Sequence, residues 1–147
     1  MKRTLIVLTC LIALGAAGVA SAAGGGHRAK LQLRKTSLGK ILVNGRGFTL
    51  YEFTRDKKNM DACAGVSGCS SVWPALTSSS KAMAGPGVKA SLIGSIALPH
   101  GGRQVTYAGH PLYTYVGDEG PASTDYVGAS QFGGRWFAVS AAGKAVK

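Results

Sequence analysis

The chain has 147 residues, 46% of them apolar, and carries 17 Lys and Arg against 6 Asp and Glu, a formal net charge of +11. That much carbon excludes a disordered polyelectrolyte, which cannot bury enough apolar surface to offset ordering entropy. The 22 Gly follow no three-residue period, so collagen is excluded, and the length suits one domain.

Met1-Lys2-Arg3 is a basic start, Thr4 to Val19 is apolar and uncharged, and Ala20-Ser21-Ala22 has the small-x-small pattern of a signal-peptidase site. The apolar run falls short of the roughly 20 residues of a membrane helix. Residues 1–22 therefore read as a cleaved signal peptide, and no transmembrane span is expected in the mature chain. Cys10 sits inside the apolar run, not at its end, so it does not read as a lipidation cysteine. Cleavage removes Lys2 and Arg3 and lowers the charge from +11 to +9. Residues 23–29 are small and Gly-rich and read as a flexible lead. His27 lies too far from the new amino terminus for an amino-terminal copper site, which needs His in third place.

Leu31–Lys35 and Lys40–Val43 read as strands. Asn44-Gly45-Arg46-Gly47 is a turn signal, because Asn and Gly tolerate positive φ. Phe48–Phe53 follows as a strand, with Thr49, Tyr51 and Phe53 on one face. Cys63 and Cys69 lie in a Gly/Ser-rich loop. In an oxidising compartment two thiols that close are expected to pair. Half a zinc site is the competing reading, but no other Cys or His lies nearby to complete it. Trp73 is expected to open a later strand. Thr77 to Lys89 has no aromatic residue, is rich in Ser, Ala, Gly and Pro, and reads as a linker over 77–89. Beyond it, Ser91–Leu98, Gln104–Tyr107, Leu112–Val116, a strand opened by Trp136, and Ala145–Val146 complete the expected set. No window after the signal peptide sustains a 3.6-residue period.

The order of these elements is a repeat. Leu50-Tyr51-Glu52-Phe53-Thr54-Arg55-Asp56 matches Leu112-Tyr113-Thr114-Tyr115-Val116-Gly117-Asp118, and Ser71-Val72-Trp73-Pro74-Ala75-Leu76 matches Gly134-Arg135-Trp136-Phe137-Ala138-Val139. The copies span about 30–76 and 90–147. Upstream, Ile41 to Gly45 parallels Val105 to Gly109 with a small gap. Each half is near the size at which a lone core is marginal. The expected fold is all-β: two tandem β-meander repeats packed as one small sandwich or barrel-like domain over 30–147.

The duplicated Tyr-x-(Phe/Trp/Tyr)-x-x-Asp pattern, Tyr51/Phe53/Asp56 and Tyr113/Tyr115/Asp118, with Trp73 and Trp136 downstream and an export signal ahead, resembles the bacterial secreted repeat of unknown function family. Members are described as predicted lipoproteins carrying this motif, and many place a cysteine pair between motif and Trp, as Cys63 and Cys69 do here. The chain departs from the lipoprotein label because it lacks a lipobox. The resemblance implies a secreted, periplasmic or cell-envelope location and no particular activity.

The residues themselves point to no catalytic centre. There is no Gly-x-Ser-x-Gly elbow, His-Glu-x-x-His or Walker loop, and Gly45-Arg46-Gly47 joins two strands instead of opening a helix. The motif Asp residues read first as turn-capping carboxylates and the Tyr residues as groups that pack or hydrogen-bond within the sheet. The functional alternative has two Tyr and two Asp facing one cleft that takes a cation or a sugar. Met60, Met83, His100 and His110 match no metal-ligand spacing, so no metal or other cofactor is expected. Arg28, Lys30, Arg34, Lys35 and Lys40 crowd the mature amino end, and Arg55, Lys57 and Lys58 flank the first motif. Outside the cell such charge meets anionic envelope components, and no nucleic-acid motif accompanies it. The expected function is a non-catalytic binding or interaction module. The alternative is a metal- or redox-associated accessory protein of the envelope.

Overall fold

The structure is a computed structural model, and it describes residues 26–147. The expected signal peptide and Cys10 lie outside the described residues. Ten strands follow in order: β1 (Lys30–Thr36), β2 (Gly39–Asn44), β3 (Tyr51–Phe53), β4 (Met83–Ala84), β5 (Ile93–Ala97), β6 (Arg103–Tyr107), β7 (His110–Pro111), β8 (Ser130–Gln131), β9 (Gly134–Val139) and β10 (Ala145–Val146). Among the described residues helix is confined to α1 (Cys69–Val72) and single 3-10 turns at Cys63–Gly65 and Ala90–Leu92. The all-β expectation holds, as three sheets with no closed barrel: β2-β1-β4, β10-β9-β3 with β8 beside β9, and β5-β6-β7.

Local chemistry sets the hairpins. Gly39 at φ +96° closes the β1–β2 turn, which brings Leu33 opposite Leu42 and Lys35 opposite Lys40. The Asn44 side chain accepts the N–H groups of Arg46 at 2.9 Å and Phe48 at 3.1 Å, so the expected turn after β2 is an Asx turn. β5 and β6 form the corresponding hairpin of the second copy, with Ser95 opposite Val105. Leu50 donates its N–H to Leu42 at 3.0 Å, as Leu112 does to Val105 at 3.0 Å. Leu42 thus corresponds to Val105, one residue out of step with the pairing read from the sequence.

The two copies are interleaved. β3 of the first pairs with β9 of the second, Phe53 opposite Trp136. Gly134 begins β9 because a Cβ there would lie 2.5 Å from the Phe53 ring. The reciprocal exchange joins the second copy's 112–116 to the first copy's 72–76: Leu76 donates to Leu112, Thr114 to Pro74 and Val116 to Val72 at 2.8, 2.9 and 3.1 Å. Leu112–Val116 is therefore not the expected regular strand. It is an extended segment held by an isolated bridge at Tyr113 beyond the two-residue β7. Trp73 does not open a strand either; it ends α1, and its N–H bonds the Cys69 carbonyl at 2.8 Å.

Two further expectations need correction. The segment 77–89 does more than link: Ala82 and Val88 enter the main apolar core and β4 pairs parallel to β1. From Gly26 onward the lead is tied down. Ser79 Oγ donates to the Gly26 carbonyl at 2.8 Å, and the buried Ala29 N–H bonds Ser78 Oγ at 3.0 Å. The main core draws on both copies, with Leu31, Leu42 and Leu50 against Ile93, Val105 and Leu112. A second core gathers Tyr51, Phe53, Trp73, Tyr113 and Trp136 around the two cysteines.

Candidate functional site

The motif residues converge on the junction between the copies. Tyr51 and Tyr113 face each other across an antiparallel bridge and exchange both backbone hydrogen bonds, at 2.9 and 3.0 Å. Their side chains then cross. The Tyr51 hydroxyl donates to Asp118 Oδ1 at 3.0 Å, and the Tyr113 hydroxyl donates to Asp56 Oδ2 at 3.0 Å. Each tyrosine of the motif is bonded to the aspartate of the other copy. Asp56 also does the turn-capping job, accepting the Ala62 N–H on Oδ1 at 2.8 Å. Asp118 has no such contact, and its Oδ2 is buried without a hydrogen-bond partner.

A third carboxylate, which the motif does not contain, completes the first site. Asp61 Oδ1 lies 2.7 Å from the Tyr113 hydroxyl. One hydroxyl has one proton to give, so two carboxyls on it are satisfied together only when one of them is protonated. Burial pushes Asp56 up to about 7, against the bonds from Ala62 and Tyr113, with Asp61 and Glu52 adding repulsion. Burial likewise pushes Asp118 up to about 6, against its bond from Tyr51. Both tyrosines are driven well above the ordinary phenol range, by burial first and by the facing carboxylates second.

The two sites differ at matched positions. Beside Asp56, the buried Glu52 faces His110 at 3.7 Å. Beside Asp118, the corresponding residues are Thr114 and Phe48, which line an open pocket of about 300 Å³ with Asn44, Arg46 and Tyr115. Burial raises Glu52 and the imidazole opposes that shift.

The tryptophans are the centre of the aromatic core. Trp73 and Trp136 stack face to face, centroids 4.0 Å apart and planes within 1°. Each meets its own copy's motif tyrosine edge-on at 5.1 Å: Tyr51 on Trp73 and Tyr113 on Trp136. Each stacks on the other copy's second motif aromatic, Phe53 on Trp136 at 4.1 Å and Tyr115 on Trp73 at 4.2 Å. Tyr126 extends the column beyond Tyr115 at 4.2 Å. These contacts obey one approximate twofold axis between the copies. Cys63 and Cys69 are disulfide-bonded and both are buried in this cluster. The Trp73 indole N–H donates to Gln131 at 2.7 Å, whereas the Trp136 indole N–H has no acceptor among the described residues.

Sequence reasoning missed Asp61, Gln131 and Tyr126. Asp61 carried a signal: it is one of only 6 acidic residues and stands five places past Asp56. Gln131 and Tyr126 carried none, since neither has a counterpart in the first copy.

The surface is cationic. Of the 17 Lys and Arg, only Lys2 and Arg3 precede Gly26, and every later one is exposed. Among the described residues the only carboxylate within 4 Å of a cationic group is Glu52, and its partner is His110. The acids are turned inward at Glu52, Asp56 and Asp118, leaving the basic side chains without counter-charges.

A family model described as a secreted repeat of unknown function matches residues 32–77 and 94–140, more than half of the chain. The chain belongs to this family. The two matched segments are the two interleaved copies, each running from the first strand of its hairpin to a few residues past its tryptophan. No curated protein and no solved structure matches the chain.

Proposed function

We propose that this secreted repeat protein is a non-catalytic binding module that holds anionic components of the cell envelope through its uncompensated cationic surface. The observation that carries the reading is the exposure of every Lys and Arg from Arg28 onward, with no carboxylate paired to any of them among the described residues. The first hairpin concentrates this charge. Lys35 stands directly opposite Lys40, an arrangement that like-charge repulsion disfavours unless an anion lies between them. The two lysines flank a groove of about 320 Å³ with Leu33, Pro86 and Gly87.

Sedimentation with vesicles rich in phosphatidylglycerol tests the proposal. The protein should co-sediment at low salt, release as salt rises, and lose affinity in a Lys35→Glu/Lys40→Glu variant. Equal retention of that variant, or retention indifferent to salt, would contradict it.

A further inference from the structure

The aromatic column has a direction built into its hydrogen bonds. Phe53, Trp136, Trp73, Tyr115 and Tyr126 follow one another at centroid spacings of 4.1, 4.0, 4.2 and 4.2 Å. Phe53, at one end, is buried and hard to oxidise. Tyr115 and Tyr126, at the other, are half-buried and reach the surface. Between them lie two indoles with ring-to-ring contact, and indole and phenol are the protein side chains that most readily give up one electron. The cysteines beside them are already joined, so no thiol competes as electron donor.

What happens to the proton distinguishes the rings. An oxidised indole settles by losing its N–H proton to a base. Trp136 has no acceptor among the described residues, and Trp73 has only the neutral amide oxygen of Gln131. Tyr51 and Tyr113 instead point their hydroxyls at carboxylates, Asp118 at 3.0 Å and the Asp56/Asp61 pair at 3.0 and 2.7 Å. Each of these phenols touches an indole edge at 5.1 Å.

We propose that the column is a one-electron relay: a surface oxidant of the radical or metal(III)-complex class draws an electron through Tyr126, Tyr115 and the tryptophan pair, and the deficit comes to rest on Tyr51 or Tyr113. In the last step the Trp73 radical cation takes one electron from the Tyr51 phenol while the phenol's proton passes to Asp118 Oδ1. The products are a neutral indole, a neutral phenoxyl radical and a neutral carboxylic acid, so charge and atoms balance. Trp136, Tyr113 and the Asp56/Asp61 pair form the equivalent branch. The relay is a second activity, independent of the cationic binding surface.

Flash photolysis with tris(bipyridine)ruthenium(II) and a cobalt(III) electron acceptor tests it, since the flash creates a ruthenium(III) oxidant beside the intact protein. Transient absorption and freeze-trapped electron paramagnetic resonance separate indolyl from phenoxyl radicals. In the wild type the indolyl signal should decay as the phenoxyl signal grows, and D2O should slow that exchange because a proton moves with the electron. In a Tyr51→Phe/Tyr113→Phe variant the late phenoxyl growth should be lost and the indolyl signal should persist. An undiminished phenoxyl growth in that variant would confine the radical to Tyr115 and Tyr126 and overturn the relay. So would an exchange in the wild type that D2O leaves unchanged, a measurement that stands even where the double variant does not fold.

Discussion

Tyr113 gives one proton to a site with two carboxyls, and the burial of Asp56 there and of Asp118 beside Tyr51 has a measurable consequence. Asp56 and Asp118 are raised from 3.8 to about 7 and about 6, chiefly by burial. The folded state therefore binds these protons more tightly than the unfolded chain does. Their stabilising contribution is complete below about pH 4 and is lost as pH rises through about 6 and 7. Denaturant unfolding from pH 4 to 8 should show stability falling across this window. An Asp56→Asn variant, which cannot ionise, should show a shallower fall. At this scale the sequence named most of the site. Duplicated spacing singled out Tyr51, Asp56, Tyr113 and Asp118, because a repeated fold must repeat its special contacts. It did not name Asp61, which serves only one copy and so never recurs.

Among the elements, the least regular segment depends most on a covalent tie. α1 has four residues, far too few to be stable by itself. It is fixed because Cys69, its first residue, is bonded to Cys63 inside the aromatic cluster. Closing that short loop is worth about 2 kcal/mol in the chain-entropy model. Guanidinium unfolding with and without a phosphine reductant should differ by about that amount, and a Cys63→Ala/Cys69→Ala variant should match the reduced protein. The hairpin strands were legible because β-branched runs and turn residues act locally. Leu112–Val116 was legible only in part. Its alternation does produce extended backbone, but its partner is the 72–76 segment, which a period-two pattern cannot identify. The burial of Ala82 and Val88 was hidden by their Ser- and Gly-rich surroundings, since small side chains give no periodic signal.

For the molecule as a whole, the decisive property is the exchange between copies. A lone copy would leave β3 without β9 and each tryptophan without either of its stacking partners. The repeat itself was plain in the sequence, but the crossing was not. The approximate twofold axis makes Asp56 and Asp118 equivalent, so Tyr51 bonded to either one would leave the same residue pattern. Only geometry separates the two arrangements, and the bond falls between copies. A double-mutant cycle tests that crossing most directly. Tyr51→Phe and Asp118→Asn, singly and together, should show a coupling of about 1 kcal/mol in urea unfolding, because the hydrogen bond between them is internal. Tyr51→Phe with Asp56→Asn, the pair within one copy, should come close to additive. Additivity in the first cycle together with coupling in the second would contradict the interleaved arrangement.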